Sequence, residues 1–307
     1  MTEALAGGEM TEALAARFEE HRPHLRAVAY RMLGSLTEAE DAVQETWLRL
    51  ARQDPAGIRE IRSLAAWLTT VTSRICLDLL NARTARGEQP IDETFVPDPV
   101  ITPLTSTDPE AEAVRTDSVG LALLIVLETL DPAERVAFVL HDLFAVPFDD
   151  IAEIVERTPA TTRQLASRAR RKVQDATPAP PDPARQRRAV EAFLTAARAG
   201  DFDALLTVLD PDVVLRADAG ALAHGPAASK LVRGAARVAG QALLFREFAP
   251  LGRLALIGGE VGVVHVADGR VRSVMGVSVV DDRIVALHIL ADPGRLAALR
   301  LPEEVVR

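Results

Sequence analysis

A single cysteine, Cys76, occurs in 307 residues, which excludes an internal disulfide and a cysteine-based zinc site. It falls in an apolar helical stretch and is read as core. No run of eighteen apolar residues is present, so no membrane-spanning helix and no membrane partner are expected. A charged-then-apolar start before a cleavage site is also missing, and the expected location is the cytoplasm. What the chain has instead is 48% hydrophobic residues, a globular composition, and length enough for two or three domains with cores of their own. It further lacks the net positive charge usual in a nucleic-acid binder, standing at −9. That deficit is local, because residues 88–120 hold eight acids against one arginine. The basic groups are equally local: Arg157, Arg163, Arg168, Arg170, Arg171 and Lys172 fall between positions 157 and 172. A focused basic footprint can meet DNA whatever the bulk charge, but a near-neutral chain needs a partner that supplies affinity.

That footprint lies in PFDDIAEIVERTPATTRQLASRARRKV, from Pro147 to Val173. Two short helices are predicted. In the first, about Asp149 to Glu156, Ile151, Ala152 and Val155 share a face. Thr158 can cap the second helix and Pro159 suits its first position, where the missing N–H costs nothing. Thr162, Leu165, Ala166, Ala169 and Val173 then recur at helical spacing and point inward. Arg163, Gln164, Ser167, Arg168 and Arg171 form the opposite face, the pattern of a helix-turn-helix that offers a hydrogen-bonding surface to a major groove. A solvated arginine-rich surface is the plainer alternative. The turn lacks the usual glycine, so Glu156 or Arg157 must take the bend at about 1 kcal/mol.

The N-terminal third is helical. After a loose start, Leu14, Phe18, Leu25, Val28 and Met32 mark one helix from Thr11 to Leu33. Thr37 and Glu40 read as a capping box for the next, Thr37 to Leu50. Val43, Trp47 and Leu50 point inward there, while Asp41, Gln44, Glu45 and Leu48 form an outward stripe, either a solvated face or a docking surface for a partner helix. In the third helix, Ser63 to Ala82, the stripe Leu64, Trp67, Leu68, Val71, Ile75 and Leu79 is assigned to the core. Arg59, Arg62, Ser63, Thr70 and Arg74 lie outside near Trp67. Cations beside an aromatic suit melted nucleic acid; plain core is the blander alternative for Trp67.

Two motifs carry a family resemblance. RPHLRAVAYRMLGSLTEAEDAVQETWLRL with RSLAAWLTTVTSRICLDLL is similar to domain two of an extracytoplasmic-function (ECF) sigma factor. LDPAERVAFVLHDLFAVPFDDIAEIVERTPATTRQLASRARRKV resembles its domain four. The resemblance covers residues 20–86 and 127–173 and implies core RNA polymerase and promoter DNA as partners, with no cofactor and no metal. It places Asp41, Gln44, Glu45 and Leu48 where the family docks on the β′ clamp helices, and the fourth domain against the β flap. It places Arg59, Arg62, Ser63, Trp67, Thr70 and Arg74 at the −10 element. Thr161, Arg163, Gln164, Ser167, Arg168 and Arg171 fall at the −35 element. The rival reading is a stand-alone helix-turn-helix regulator with a ligand-sensing cone domain.

The expected organisation is two all-α sigma domains, at 11–87 and 121–175, joined by the acidic, proline-containing linker 88–120. A stiff hinge at 176–186 and an α+β domain at 187–295 follow. In that last domain helices come first: Val190 to Ala197 ended by Gly200, then Phe202 to Leu209 capped by Asp201. A strand at 212–217 and a helix at 229–239 lead into strands near 254–258, 261–266, 271–280 and 284–290. Asp268-Gly269 and Asp281-Asp282 are the hairpin turns. The pattern resembles a SnoaL-like cone, as in ECF sigma factors with a C-terminal extension. Three regulatory segments of those relatives have altered counterparts here. Phe95-Val96-Pro97-Asp98-Pro99 stands where they carry a WLPEP-like motif, keeping Pro97 and Pro99 but not the tryptophan. Asp218 stands in place of a DGGGK-like motif, and Asp292-Pro293 in place of an NPDK-like one. The linker is either a plain connector or a nucleic-acid mimic that threads a basic polymerase channel. Asp218, His224, His265 and His288 are the only acid–base candidates, and nothing in their spacing pairs them. No catalytic residue is assigned and the chain is not expected to be an enzyme. A small-molecule ligand in the C-terminal domain and a purely protein-docking module are both open.

Overall fold

A run of helices forms wherever the apolar positions recur at three and four, and a meander of strands forms where they alternate. In the computed structural model the described residues are 2–85, 94–104, 120–176, 182–220, 223–225, 228–299 and 301–306. For 2–11, 55, 59 and 306 the backbone alone is described. The chain divides into two units, one of residues 1–89 and 127–174, the other of residues 90–126 and 175–307.

In the first unit α1 (Thr2–Leu33), α2 (Leu36–Ala51), the short α3 (Pro55–Glu60) and α4 (Leu64–Ala85) build the N-terminal part. Leu14, Phe18, Leu25, Val43, Leu50, Leu64 and Leu68 make its core, with Trp47 and Trp67 against them. The helix α1 begins before Thr11, where the sequence pattern starts it, and closes at Gly34 with φ of 68°. The cap of α2 is one residue pair earlier than predicted. Ser35 accepts from the Glu38 amide at 3.4 Å, while Glu40, assigned to a capping box, instead pairs with Arg22 at 2.7 Å. Along α4 the buried face is rotated from the predicted stripe: Thr72, Ser73, Cys76 and Leu80 are inside and Leu79 is exposed. The hydroxyls decide this, because Thr72 bonds Thr46 across the core at 2.9 Å and frees both residues to be buried. The solvated surplus is then Leu79, a modest cost.

The chain passes between the units along α5 (Leu121–Glu128), and α6 (Pro132–Phe138) follows. Asp131 stands at the N-cap of α6 without a side-chain bond. Arg135 of α6 is buried, forks onto Glu128 at 2.9 and 3.0 Å and donates to the Met32 carbonyl at 2.9 Å. The helices α7 (Phe148–Ile154) and α8 (Pro159–Ala176) complete this unit.

In the second unit, α9 (Pro183–Ala199) and α10 (Phe202–Val208) precede the sheet. Asp182 accepts from the Ala184 amide at 3.1 Å, so α9 already begins inside the segment 176–186 read as hinge. Residues 177–181 lie outside the described part. Gly200 ends α9 at φ 72° and Asp201 caps α10 at 2.9 Å. Among the described residues seven strands form one sheet in the order β1-β4-β5-β6-β7-β2-β3. They are β1 (Ile101–Thr102), β2 (Leu209–Asp218), β3 (Lys230–Arg233), β4 (Gly252–Ile257), β5 (Glu260–Ala267), β6 (Arg270–Val280) and β7 (Arg283–Leu290). The run β4 to β7 is the expected antiparallel meander, and the hairpin residues Asp268, Gly269, Asp281 and Asp282 all take positive φ, as the turns that match strand twist require. The pairing of β2 with β7 is parallel, so the sheet is mixed. Where a helix was expected at 229–239, Lys230 to Arg233 pair with β2, and Gly234 at φ 91° breaks the chain into α11 (Ala235–Leu244). Helix α9 is fixed to the sheet by Gln186, whose amide accepts from the Val261 N–H at 2.9 Å and donates to the Val277 carbonyl at 3.0 Å. The core lies between these helices and one face of the sheet: Val190, Phe193, Leu205, Leu209, Val213, Val263, Val277 and Leu287. Short helices α12 (Pro293–Ala298) and α13 (Glu303–Val306) follow β7.

Candidate functional site

Three surfaces carry the residues singled out in the sequence. On α8 the turn that precedes it bends at Glu156, with φ of 52°, and Thr158 caps the helix by accepting from the Thr161 amide at 3.2 Å. Thr162, Ala166 and Ala169 are buried and Leu165 and Val173 half-buried. Arg163, Gln164, Ser167, Arg168 and Arg171 are exposed, with Thr161 half-exposed at the N-terminal end. Neighbours steer several of these cations. Arg163 lies 5.6 Å over the Phe148 ring of α7. Arg168 approaches buried Glu134 at 3.8 Å, which Lys172 also meets at 2.8 Å. The face is therefore basic, and contacts with Phe148 and Glu134 hold part of it in place.

On α2, Asp41, Gln44 and Leu48 are exposed and Glu45 is half-exposed, held by Arg49 at 3.0 Å. Val43 and Leu50 are buried behind them. An acidic stripe with one exposed leucine needs no part of the core to be disturbed by a partner. Just before α4, Arg62 and Ser63 are exposed; on it Arg74 is exposed and Thr70 and Trp67 are half-buried. Ser63 also caps α4, accepting from the Ala66 amide at 3.3 Å. Arg74 donates to the Glu153 carbonyl of α7 at 3.2 Å. The side chain of Arg59 lies outside the described part.

The third surface is in the second unit and gathers all three altered motifs around a residue the sequence reading missed, Arg295. Its guanidinium donates to Asp98 Oδ1 at 2.7 Å, to Asp218 Oδ2 at 2.7 Å and to the Val96 carbonyl at 2.6 Å. The Phe95 ring lies 4.7 Å from it. Asp218 Oδ2 accepts in turn from the Val96 amide at 3.2 Å. Asp292 caps α12 by accepting from the Arg295 amide at 2.9 Å, with Pro293 at the first helical position. Val96, Pro97, Asp98 and Pro99 are buried and Phe95 is half-buried. Just beyond, Ile101 and Thr102 pair with Ile257 and Leu256 as an edge strand. This stretch of the linker is thus built into the C-terminal sheet. Only an arginine can serve three acceptors and a ring from one planar fork. One signal was available: Arg295 is the cation three residues after the capping Asp292.

Comparison with known proteins decides the family. Residues 17–86 match Sigma-70 region 2, and residues 121–173 match Sigma-70, region 4. The ECF RNA polymerase sigma factor SigJ of Mycobacterium tuberculosis is 40% identical over 94% of this chain and 95% of its own length. The probable ECF RNA polymerase sigma factor SigI of the same species is 37% identical over 94% and 97%. The crystal structure of M. tuberculosis SigJ superposes with a TM-score of 0.71 at 36% identity, covering 94% of this chain and all of that one. The chain belongs to the ECF RNA polymerase sigma factors. A sigma factor is a transcription initiation factor, and the rival reading of a stand-alone helix-turn-helix regulator is not favoured. The helices α2 and α4 lie within region 2, and α7 and α8 within region 4. The mixed-sheet domain is the part of the likeness to SigJ that these two regions leave out.

Within that extension of the sigma factor, the acid–base candidates are scattered. Asp218 is engaged by Arg295, His224 is exposed, and His288 is buried with no hydrogen-bond partner for Nδ1. His265 bonds the Ser273 hydroxyl at 3.0 Å. Burial holds His265 down to about 4 and, with Arg216 nearby, His288 down to about 3, so both imidazoles are neutral at pH 7. Among the described residues no group of His, Cys, Asp and Glu is arranged to hold a metal ion. Among the described residues no helix is long and apolar enough to cross a membrane.

Proposed function

We propose that this sigma factor docks on core RNA polymerase through Asp41, Gln44, Glu45 and Leu48 of α2, set against the β′ clamp helices, with region 4 against the β flap. Arg62, Ser63, Trp67, Thr70, Arg74 and Arg59 meet the −10 element during melting. Thr161, Arg163, Gln164, Ser167, Arg168 and Arg171 read the −35 element. The observation that carries the reading is the outward face of α8, a capped helix with an apolar stripe behind it and five exposed polar or basic side chains in front. Catalysis belongs to the polymerase, and the factor works in the cytoplasm.

The C-terminal domain, a SnoaL-like cone at 187–295, modulates the sigma factor by holding linker residues 95–102, and a small molecule in its interior is the natural input. The sign of that modulation is left to experiment. Run-off transcription by core polymerase tests the central claim. Alanine at Arg163, Gln164 and Arg168 together should abolish dependence on the −35 sequence, each base-reading arginine contributing about 1–3 kcal/mol of discrimination. Unchanged promoter choice by that triple variant overturns the assignment of α8.

A further inference from the structure

The C-terminal domain encloses a cavity of about 230 Å³ between α9, α11 and the concave face of the sheet. A dry cavity of about 150 Å³ already takes benzene, so this one has room for a fused bicyclic ring or a short chain. Its walls are apolar: Phe193, Leu215, Met275, Leu287 and Ile289 line it, with Phe245 nearer the rim. Phe245 and its neighbour Phe248 are each more than a third exposed, and the adjacent Leu244 is 65% exposed, so the entrance presents an apolar lip to water. Large exposed apolar groups around a cleft mark a binding mouth more often than a bare surface.

The polar groups that reach this cavity are few and none is an acid. Lys230, Gln241, His265, Arg272 and Ser273 are among the lining side chains, and no described lining residue is a carboxylate. Lys230 donates to Gln241 Oε1 at 3.1 Å and its ammonium lies 5.3 Å over the Phe245 ring. Partial burial lowers its pKa, a tendency that an anion alongside would reverse. Arg272 meets only a loose, solvent-facing Asp268 at 3.6 Å among the pairs described. His265 contributes a neutral hydrogen-bonding pair with Ser273. An apolar volume with cations and neutral hydrogen-bonding groups on its wall favours a ligand with an apolar body and one negative charge. The lining also includes Ala219 and Ala291, which adjoin Asp218 and Asp292. An occupant therefore touches the strand ends that carry the Arg295 cluster.

We infer that this cavity is a binding site for a small apolar monoanion, an aromatic or short aliphatic carboxylate, whose carboxylate is received by Lys230 in place of Gln241. The inference rests on the reading that the C-terminal domain takes a small molecule, and adds the class of that molecule and the residue that selects it.

Methyl NMR on the full chain can test both and tell them apart. Of the methionines Met1, Met10, Met32 and Met275, only Met275 lies in the C-terminal domain and lines the cavity. The chain labelled at methionine methyls would be titrated with 2-naphthoate and with its neutral counterpart, 2-naphthalenemethanol. Naphthoate should shift the Met275 signal saturably and leave Met32 still. Lys230→Leu should weaken naphthoate roughly tenfold, the usual effect of losing a charged hydrogen bond, with the alcohol unaffected. Lys230→Arg should restore most of the loss, which a merely structural role for the lysine would not produce. Equal binding of acid and alcohol, or indifference to Lys230→Leu, overturns the anion assignment while sparing the small-molecule reading. A Met275 signal unmoved by either compound at millimolar concentration overturns both.

Discussion

Asp98 and Arg295 stand 197 residues apart and meet at 2.7 Å, with Asp218 on the same guanidinium. Asp98 and Asp218 are both buried, and Arg295 bridges them. Arg295→Ala would take the shared guanidinium away from two buried carboxylates, a loss on the order of 3–5 kcal/mol. Amide exchange should speed up at Val96, whose N–H is held by Asp218, and at Gly258, whose N–H donates to the Val100 carbonyl at 2.7 Å. Arg295→Lys should restore little, since an ammonium cannot span the same acceptors. Protection factors that match the wild type in the alanine variant would mean the linker is held by β1 alone.

Glu156 supplies the bend of the helix-turn-helix in the left-handed region, at φ 52°. Its side chain is exposed, so replacing it removes backbone strain and little else. Glu156→Gly should stabilise the first unit by about 1 kcal/mol. Urea midpoints report it; a lower midpoint would show that the glutamate makes a contact worth more than the strain.

Asp41 and Glu45 face away from Val43 and Leu50. The double reversal Asp41→Arg, Glu45→Arg should leave the Tm within a degree or two, because surface ion pairs such as Glu45–Arg49 contribute less than about 1 kcal/mol. Affinity for core polymerase should fall by at least tenfold, as like charges replace complementary ones. Unaltered affinity with an unaltered Tm removes α2 from the docking surface.

His265 and His288 are neutral in the folded domain well below pH 6.5. Above about pH 6.5 they are neutral in the unfolded chain too and contribute no pH dependence. Below it the unfolded chain takes up the protons first, so stability of the C-terminal domain declines with acid. The decline runs from about pH 6.5 to about 4 for His265, and on to about 3 for His288. Amide exchange of the β5–β7 strands against pH should show it, and His265→Gln should flatten its share. A profile level from pH 7 to 4.5 would mean these imidazoles titrate normally.

The helix-turn-helix, the two hairpins and the capped helices α9 and α10 were legible because each is set by residues within a few positions of one another. Thr158-Pro159, Asp268-Gly269 and Gly200-Asp201 state their own geometry. The misreadings lie where a distant partner decides. Lys230 to Arg233 is a strand because β2 offers it an edge, and its four residues alone carry no alternation strong enough to say so. Thr72 enters the core through the hydroxyl of Thr46, a pairing that periodicity cannot see. The three altered motifs were each visible, but what joins them is Arg295, and an arginine in a short C-terminal helix reads locally as one more solvated cation. That the linker supplies β1 was least legible, since Ile101-Thr102 is two residues long and its partner β4 lies about 150 positions on.

The edge strand has a consequence for promoter architecture. With 95–102 fixed in the sheet, the chain between region 2 and region 4 is anchored part-way along rather than only at its ends. Two short tethers explore a narrower range of separations than one long one. The sigma factor with its linker docked should therefore be strict about the number of base pairs between the −10 and −35 elements, and the Arg295→Ala form more permissive. Run-off transcription over templates whose spacer differs by single base pairs would measure this as a broader optimum. An optimum of unchanged width would mean the spacing is set by the polymerase and not by the chain.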